Sequence, residues 1–202
     1  MAQNEAIKVR SISDFKSQLT GGGARPNLFQ VSIPEFPGNE GNIIGEDIQF
    51  LCKGAQLPES TVGLVEVPFR GRTFKVAGDR TFAPWSITVI NDTDFAIRNA
   101  METWMQTIAQ YKDGSGATDP GDYMREATVS QLLRDPSALT ATSGTGTEAK
   151  RTDAGQYRFY DIWPTNVSAI DLSYDSSDVL EEFTVEFQVN YWAPETKNNT
   201  EG

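Results

Sequence analysis

Phe183-Thr184-Val185-Glu186-Phe187-Gln188-Val189-Asn190-Tyr191-Trp192 reads as a strand with two unlike faces. Phe183, Val185, Phe187, Val189 and Tyr191 fall on one side; Thr184, Glu186, Gln188, Asn190 and Trp192 fall on the other. That is the period of two that extended backbone imposes. One apolar and one polar face mark an antiparallel sheet with a single side covered. At about 3.4 Å per residue the run would extend ~34 Å, more than a small sandwich requires.

The same alternation recurs upstream. Phe29, Val31 and Ile33 form one short strand, and Trp85, Ile87 and Val89 another. Ile48, Phe50 and Cys52 share a face if 48–53 is extended, which predicts a strand there. Between Leu57 and Val76, Pro58, Gly63, Pro68 and Gly71 separate short apolar runs, and 69–74 reads as a hairpin tip with basic flanks. Residues 123–134 predict a long strand or hairpin arm, 156–162 another, and 167–174 a third before a turn at 175–178. Only Phe95–Tyr111 has helical spacing, with Ile97, Met101, Trp104, Met105 and Ile108 on one stripe. Asn91-Asp92-Thr93-Asp94 before it supplies short polar side chains that can cap free amides. The sum predicts a mainly β protein, an antiparallel two-sheet β-sandwich or barrel with one flanking α-helix. An N-terminal arm (1–23), a body (24–192) and a C-terminal tail (193–202) divide it.

Composition narrows the chemistry. A chain of 202 residues, 38% hydrophobic and 22% charged, is ordinary for a folded domain, and folding would bury roughly 70% of its extended surface. No apolar run approaches the ~20 residues of a membrane span, and the N-terminal residues lack the apolar core of a signal peptide. One cysteine, Cys52, rules out an internal disulfide framework and suits an intracellular site of folding. There is no histidine, so Ser-His-Asp and Cys-His catalysis and the common zinc sites are absent. Gly21-Gly22-Gly23 lacks the Lys-Ser/Thr of a phosphate loop.

The net charge of −11 is unevenly placed. Asp161, Asp171, Asp175, Asp178, Glu181, Glu182, Glu186 and Glu195 lie in a stretch, 160–196, without one Lys or Arg. The plain reading is solubility; the sharper one is a surface that repels an anion such as DNA, since gripping nucleic acid takes bases that displace phosphate counterions. Asp171, Asp175 and Asp178 lack the loop order of a calcium site and suit a turn better. Glu181 and Glu182, adjacent on a strand, face opposite sides and cannot flank one glycosidic bond. Asp79 and Arg80 suit a local pair pinning a turn. Trp85, Trp104, Trp163 and Trp192 read as packing residues. No catalytic, cofactor-binding or metal-binding set emerges.

Several segments resemble, in order and spacing, the tail tube proteins of contractile-tailed, T-even-like bacteriophages. They are Arg25-Pro26-Asn27-Leu28-Phe29; Ala77-Gly78-Asp79-Arg80-Thr81-Phe82 with Trp85; Asn91-Asp92; Trp163-Pro164-Thr165-Asn166; and Tyr191-Trp192. The resemblance runs from about Ala24 to Trp192. It implies six-fold rings stacked as a tube inside a contractile sheath, a conduit for genome ejection that does no chemistry and needs no cofactor. Implied partners are further copies of the chain, the tail sheath protein, baseplate and tail terminator proteins, a tape measure protein, and DNA passing through without specific binding. The place implied is the virion tail, assembled in the host cytoplasm. The family is similar to the tubes of type VI secretion and injection systems, so a conduit for protein cargo is the alternative; a monomeric acidic binding module or carboxylate enzyme is a third reading. Asp161, Asp171, Asp175, Asp178, Glu181, Glu182 and Glu186 are the candidate acidic lumen. The arm 1–23, the loops 34–45 and 137–150 and the tail depart from the family's compact form and suit contacts between rings or with a sheath.

Overall fold

A computed structural model of the chain describes residues 11–19, 23–38, 44–134 and 153–195. The loop 137–150, the Gly21-Gly22 pair and the extremities of arm and tail lie outside the described residues. In chain order the elements are α1 (Ile12–Gln18), β1 (Phe29–Ser32), α2 (Ile44–Leu51), β2 (Cys52–Ala55), β3 (Ser60–Phe69), β4 (Arg72–Phe82), β5 (Trp85–Ile90), α3 (Ala96–Ile108), α4 (Pro120–Tyr123), β6 (Arg125–Leu132), β7 (Asp153–Val167), β8 (Glu182–Gln188) and β9 (Tyr191–Pro194). They fall into two units, Met1–Phe29 with Gln131–Ala154 and Gln30–Ser130 with Gly155–Gly202.

In the first unit the Ser11 hydroxyl accepts from Asp14 N at 3.2 Å, and the Asp14 carboxylate accepts from Ser11 N at 2.9 Å. This reciprocal box satisfies amides that the start of α1 leaves free, and the bonds from Ser11, backbone first, hold the Asp14 carboxyl below its ordinary range. Pro26 and Asn27 form the corners of a turn closed by Leu28 N donating to Arg25 O at 3.1 Å; the fixed φ of proline suits the first corner. The Gln131 amide clamps that turn, donating to Arg25 O at 2.7 Å and to Leu28 O.

In the second unit, strands hydrogen-bond in the order β1-β6-β7-β8-β5-β2, with β9 added to β7. The pairings of β2 with β5, β5 with β8, and β7 with both β8 and β9 are antiparallel. β7 makes two layers out of this path. Its first part pairs with β9, ending at Tyr160↔Tyr191, and its second with β8 from Trp163↔Gln188. Between them Asp161 has φ 54°, a left-handed residue in mid-strand. A strand kinked where its ladder is interrupted turns a sandwich corner.

The two layers meet over an apolar core. Trp85 stacks on Phe159 with ring centroids 4.4 Å apart, and Ile87, Val89, Phe183, Val185 and Phe187 are buried around them with Val31, Ala127 and Val129. α3 adds Ile97, Ala100, Met101 and Trp104, all buried. The Trp104 indole donates to Tyr123 O at 2.7 Å, and its ring meets Phe36 edge-on at 5.8 Å. The alternation in 183–189 thus does what it predicts.

Four local expectations are corrected. Residues 48–53 are not a strand: α2 occupies 44–51, so Ile48 is fully buried while Phe50 is 84% exposed. A short apolar run cannot by itself separate the two periods. α2 packs beside α3, a second helix against the sheet. The 183–192 run is interrupted: β8 stops at Gln188 and β9 resumes at Tyr191, both antiparallel to β7, with the break opposite the Asp161 kink; Val189 stays buried while Tyr191, 45% exposed, stacks on Tyr160. Residues 168–174 form no strand, since β7 ends at Val167 and 168–181 crosses to β8 without regular structure. Asp79 and Arg80 pin no turn, for both lie inside β4, where neighbours face opposite sides.

Candidate functional site

Part of the motif, Arg80 and Phe82 with Trp192, meets at the base of a long hairpin. The Arg80 guanidinium donates to Ser60 Oγ at 3.0 and 3.2 Å and lies over the rings of Phe82 and Trp192, 5.6 and 5.5 Å from their centroids. The Trp192 indole donates to Glu59 O at 3.2 Å, and its ring meets Phe82 and Tyr157 edge-on. Arg80 and Phe82 therefore join Trp192, 112 and 110 residues away in sequence, to lock the β3–β4 ribbon to the sheet. Trp85 donates to Gln56 O at 2.9 Å. Trp163 meets Tyr123 edge-on, Pro164 is buried, and the Thr165 hydroxyl bonds Glu186 O at 3.1 Å across a register shift between Pro164 and Asn166. Asn91 donates through its backbone to Glu181 O (2.8 Å) and through Nδ2 to the Glu181 carboxylate (2.9 Å). Asp92 accepts from Ala96 N at 3.3 Å, while Phe95, just before α3, has φ 55° and no side-chain cap. These residues hold the fold together and share no pocket.

Beyond that base the hairpin stands nearly bare. Arg70 (φ 46°) and Gly71 (φ 81°) make the two-residue turn with both φ positive that matches strand twist. The register jumps from Val62↔Arg80 to Leu64↔Ala77, a bulge in which a Cβ on Gly78 would lie 3.2 Å from the Gly63 carbonyl carbon. Past the bulge, Val65↔Val76, Val67↔Phe74 and Phe69↔Arg72 are cross-strand pairs, so these side chains share one face. Its five apolar members are exposed between 43% (Val76) and 67% (Phe74). The other face carries Glu66 and Lys75, 3.8 Å apart. A lone two-stranded ribbon is marginal in water, and an apolar patch of this kind marks an interaction surface. Sequence reading located the tip but missed the face, although the alternation of 65, 67, 69 and 74, 76 was there to find.

The candidate lumen acids come from three segments: β7, the connection 168–181 and β8. Glu182 and Glu186 project from the outward face of β8, opposite Ile90 and Ser86 of β5. Glu182 is held by Lys53 Nζ at 2.5 Å, and Glu181 is engaged by Asn91. Asp161 sits at the β7 kink, and Asp171, Asp175 and Asp178 are exposed in 168–181. Farther on, Glu195 pairs with Arg158, which also reaches Glu126 at 3.5 Å. Bases from other strands thus offset part of a stretch that has none of its own.

Chemical groups are sparse. Cys52 is buried, its thiol pushed up to about 11 by burial, and it donates weakly to Gly54 O at 3.4 Å. Among the described residues no group of three His, Cys, Asp or Glu side chains could hold a metal. A cleft of ~390 Å3 beside Trp85, lined by 56–59 and 83–85, holds Glu59 as its single titratable group. No helix among the described residues is long and apolar enough to cross a membrane.

Comparison with known proteins gives a consistent result. A family model described as phage tail tube protein matches residues 24–195. Tail tube protein gp19 of Enterobacteria phage T4 is 32% identical over 173 residues, covering 86% of this chain and 93% of that one. The tail tube protein of Serratia phage KSP90 is 25% identical over 182 residues, covering 88% and 93%. Among solved structures, the tube terminating cap of the anti-feeding prophage aligns with TM-score 0.54 at 12% identity, covering 97% of this chain and 99% of that one. The sheath/tube terminator of the extracellular contractile injection system PVC gives TM-score 0.54 at 8% identity, covering 86% and 97%. At those identities the likeness is one of fold.

Proposed function

This chain belongs to the phage tail tube protein family, and on that premise we propose that its copies close into six-fold rings stacked as the tube of a contractile tail. As a tail tube protein it is a component of the virion. The observation that carries self-assembly is the apolar face of the β3–β4 hairpin, which the described residues of one copy leave uncovered. The strand order supports it too, since β1 and β2 end the path and offer edges for pairing. Sheet edges joined around a ring would remove them by closure.

The tube would run inside a sheath, start at a baseplate and end at a terminator, with a tape measure protein and then DNA in its lumen, and would do no chemistry. The outward face of β8, with Glu182, Thr184 and Glu186, is our choice for the lumen wall: polar, acidic and able to pass phosphates without holding them. Protein cargo is the weaker reading, because the relatives of appreciable identity are phage chains. Negative-stain electron microscopy of the concentrated protein, with and without baseplate, should show rings or hollow tubes. Monomers under both conditions would remove the proposal.

A further inference from the structure

The hairpin's apolar face ends in a basic tip. Arg70 lies over the Phe69 ring, 5.3 Å from its centroid, and Arg72 pairs with Phe69 on the exposed face. Glu66, the acid of this distal part, stands beside Lys75 instead. The two arginines are left as the charge of the tip.

The connection 168–181 offers the converse. Leu172, Tyr174, Val179 and Leu180 are exposed by 78, 108, 75 and 69%. Asp171, Asp175 and Asp178 alternate with them, and no base lies in the segment. Four large apolar side chains left in water over nine residues are surface waiting for cover. The acids say which partner suits: one that is apolar with a positive rim. The hairpin has that character, and the two surfaces are complementary in hydropathy and in sign.

We propose that the hairpin of one copy docks its apolar face and arginine tip against the 168–181 segment of the next copy; this rests on the tube reading and specifies one of its contacts. Because the surfaces differ, each copy gives one and receives the other. The contact is heterologous and propagates rather than ending at a dimer. Asp171, Asp175 and Asp178 then meet arginines of a neighbour and are not lumen groups.

Charge reversal with rescue tests it. R70E/R72E and D171R/D175R are made separately and together, and assembly is followed by sedimentation and electron microscopy at ~0.15 M salt, where exposed charges farther apart than about 8 Å are screened. All four positions are exposed, so each variant should melt like the parent monomer. Each reversal alone should raise the concentration of half-assembly by about tenfold or more, and the combined variant should return to within about threefold of the parent. Either reversal assembling like the parent, or a combination no better than the worse half, overturns the contact. Mixed chains carrying V67C, on the apolar face, or S173C in a C52S background give an independent reading: tubes should oxidise to V67C–S173C heterodimers, and intact tubes without them overturn the contact while the tube stands. Reversals that spare tubes but block sheath addition would assign the hairpin to the sheath and overturn it likewise. A parent that forms neither rings nor tubes overturns the tube reading, and this contact falls with it.

Discussion

At the scale of the residue, Gly116 has the tightest surroundings of the described glycines. α3 ends at Ile108 and the next residues curl back over its last turn, with Gln110 N donating to Ser115 O at 2.7 Å and Ala117 N to Thr107 O at 2.9 Å. Asp113 steadies the curl, accepting from the Ser115 hydroxyl at 2.6 Å and its amide at 3.0 Å. A Cβ on Gly116 would fall 1.9 Å from Ile108 O, a backbone atom that cannot step aside. Gly116→Ala should therefore cost ~2–4 kcal/mol, visible as a lower urea midpoint. Gly155→Ala is the control: nothing lies within 4 Å of its Cβ, and the midpoint should move by less than about 0.5 kcal/mol. Equal effects would refute the close-approach account. The Gly/Asp character of 112–121 makes a loop legible in sequence. Which glycine is obligatory is not, because the constraint is a carbonyl eight residues earlier brought close by the fold.

At the scale of the element, β7 holds the two layers together through one unfavourable residue. Asp161 at φ 54° occupies a conformation that costs an ordinary side chain roughly 1–2 kcal/mol, least for Asp, Asn and Gly. Asp161→Gly should raise the melting midpoint by an amount equivalent to up to about 1 kcal/mol, Asp161→Asn should leave it nearly unchanged, and Asp161→Val should lower it by about 1–2 kcal/mol. A valine variant as stable as the parent would mean that the kink is not a fixed feature of the strand. Elements whose burial is one-sided were readable: β8 and β5 through a period of two, α3 through its helical stripe. α2 was not, since eight residues leave too few turns to show a period. Nor was the break between β8 and β9, where alternation continues through Val189 to Tyr191 and both strands stay beside β7, but the ladder is interrupted opposite the Asp161 kink. Periodicity reports which way side chains point, and is silent about where a ladder is interrupted.

At the scale of the whole molecule, the excess of acid is legible in composition but its division is not. It is settled by where each strand runs: Lys53 of β2 reaches Glu182, Arg158 of β7 reaches Glu195, and Glu186 keeps an outward position on β8. That division makes the proposed lumen testable by unequal effects. Glu186→Gln removes one negative charge from the outward face. Glu182→Gln removes one as well, and it also leaves the Lys53 ammonium without its carboxylate, a fixed cation to which passing phosphates can bind. In particles built from variant tubes, DNA release should therefore slow for both and slow more for Glu182→Gln. Added salt should relieve the slowing, since screening and counterion competition weaken phosphate contacts. Asp171→Asn with Asp175→Asn should leave release unchanged in whatever tubes form, because those acids are assigned to a contact between copies. Release that is unaltered by Glu182→Gln and Glu186→Gln together would take the outward face of β8 out of the lumen. Slowing that salt fails to relieve would point to altered tube geometry rather than charge.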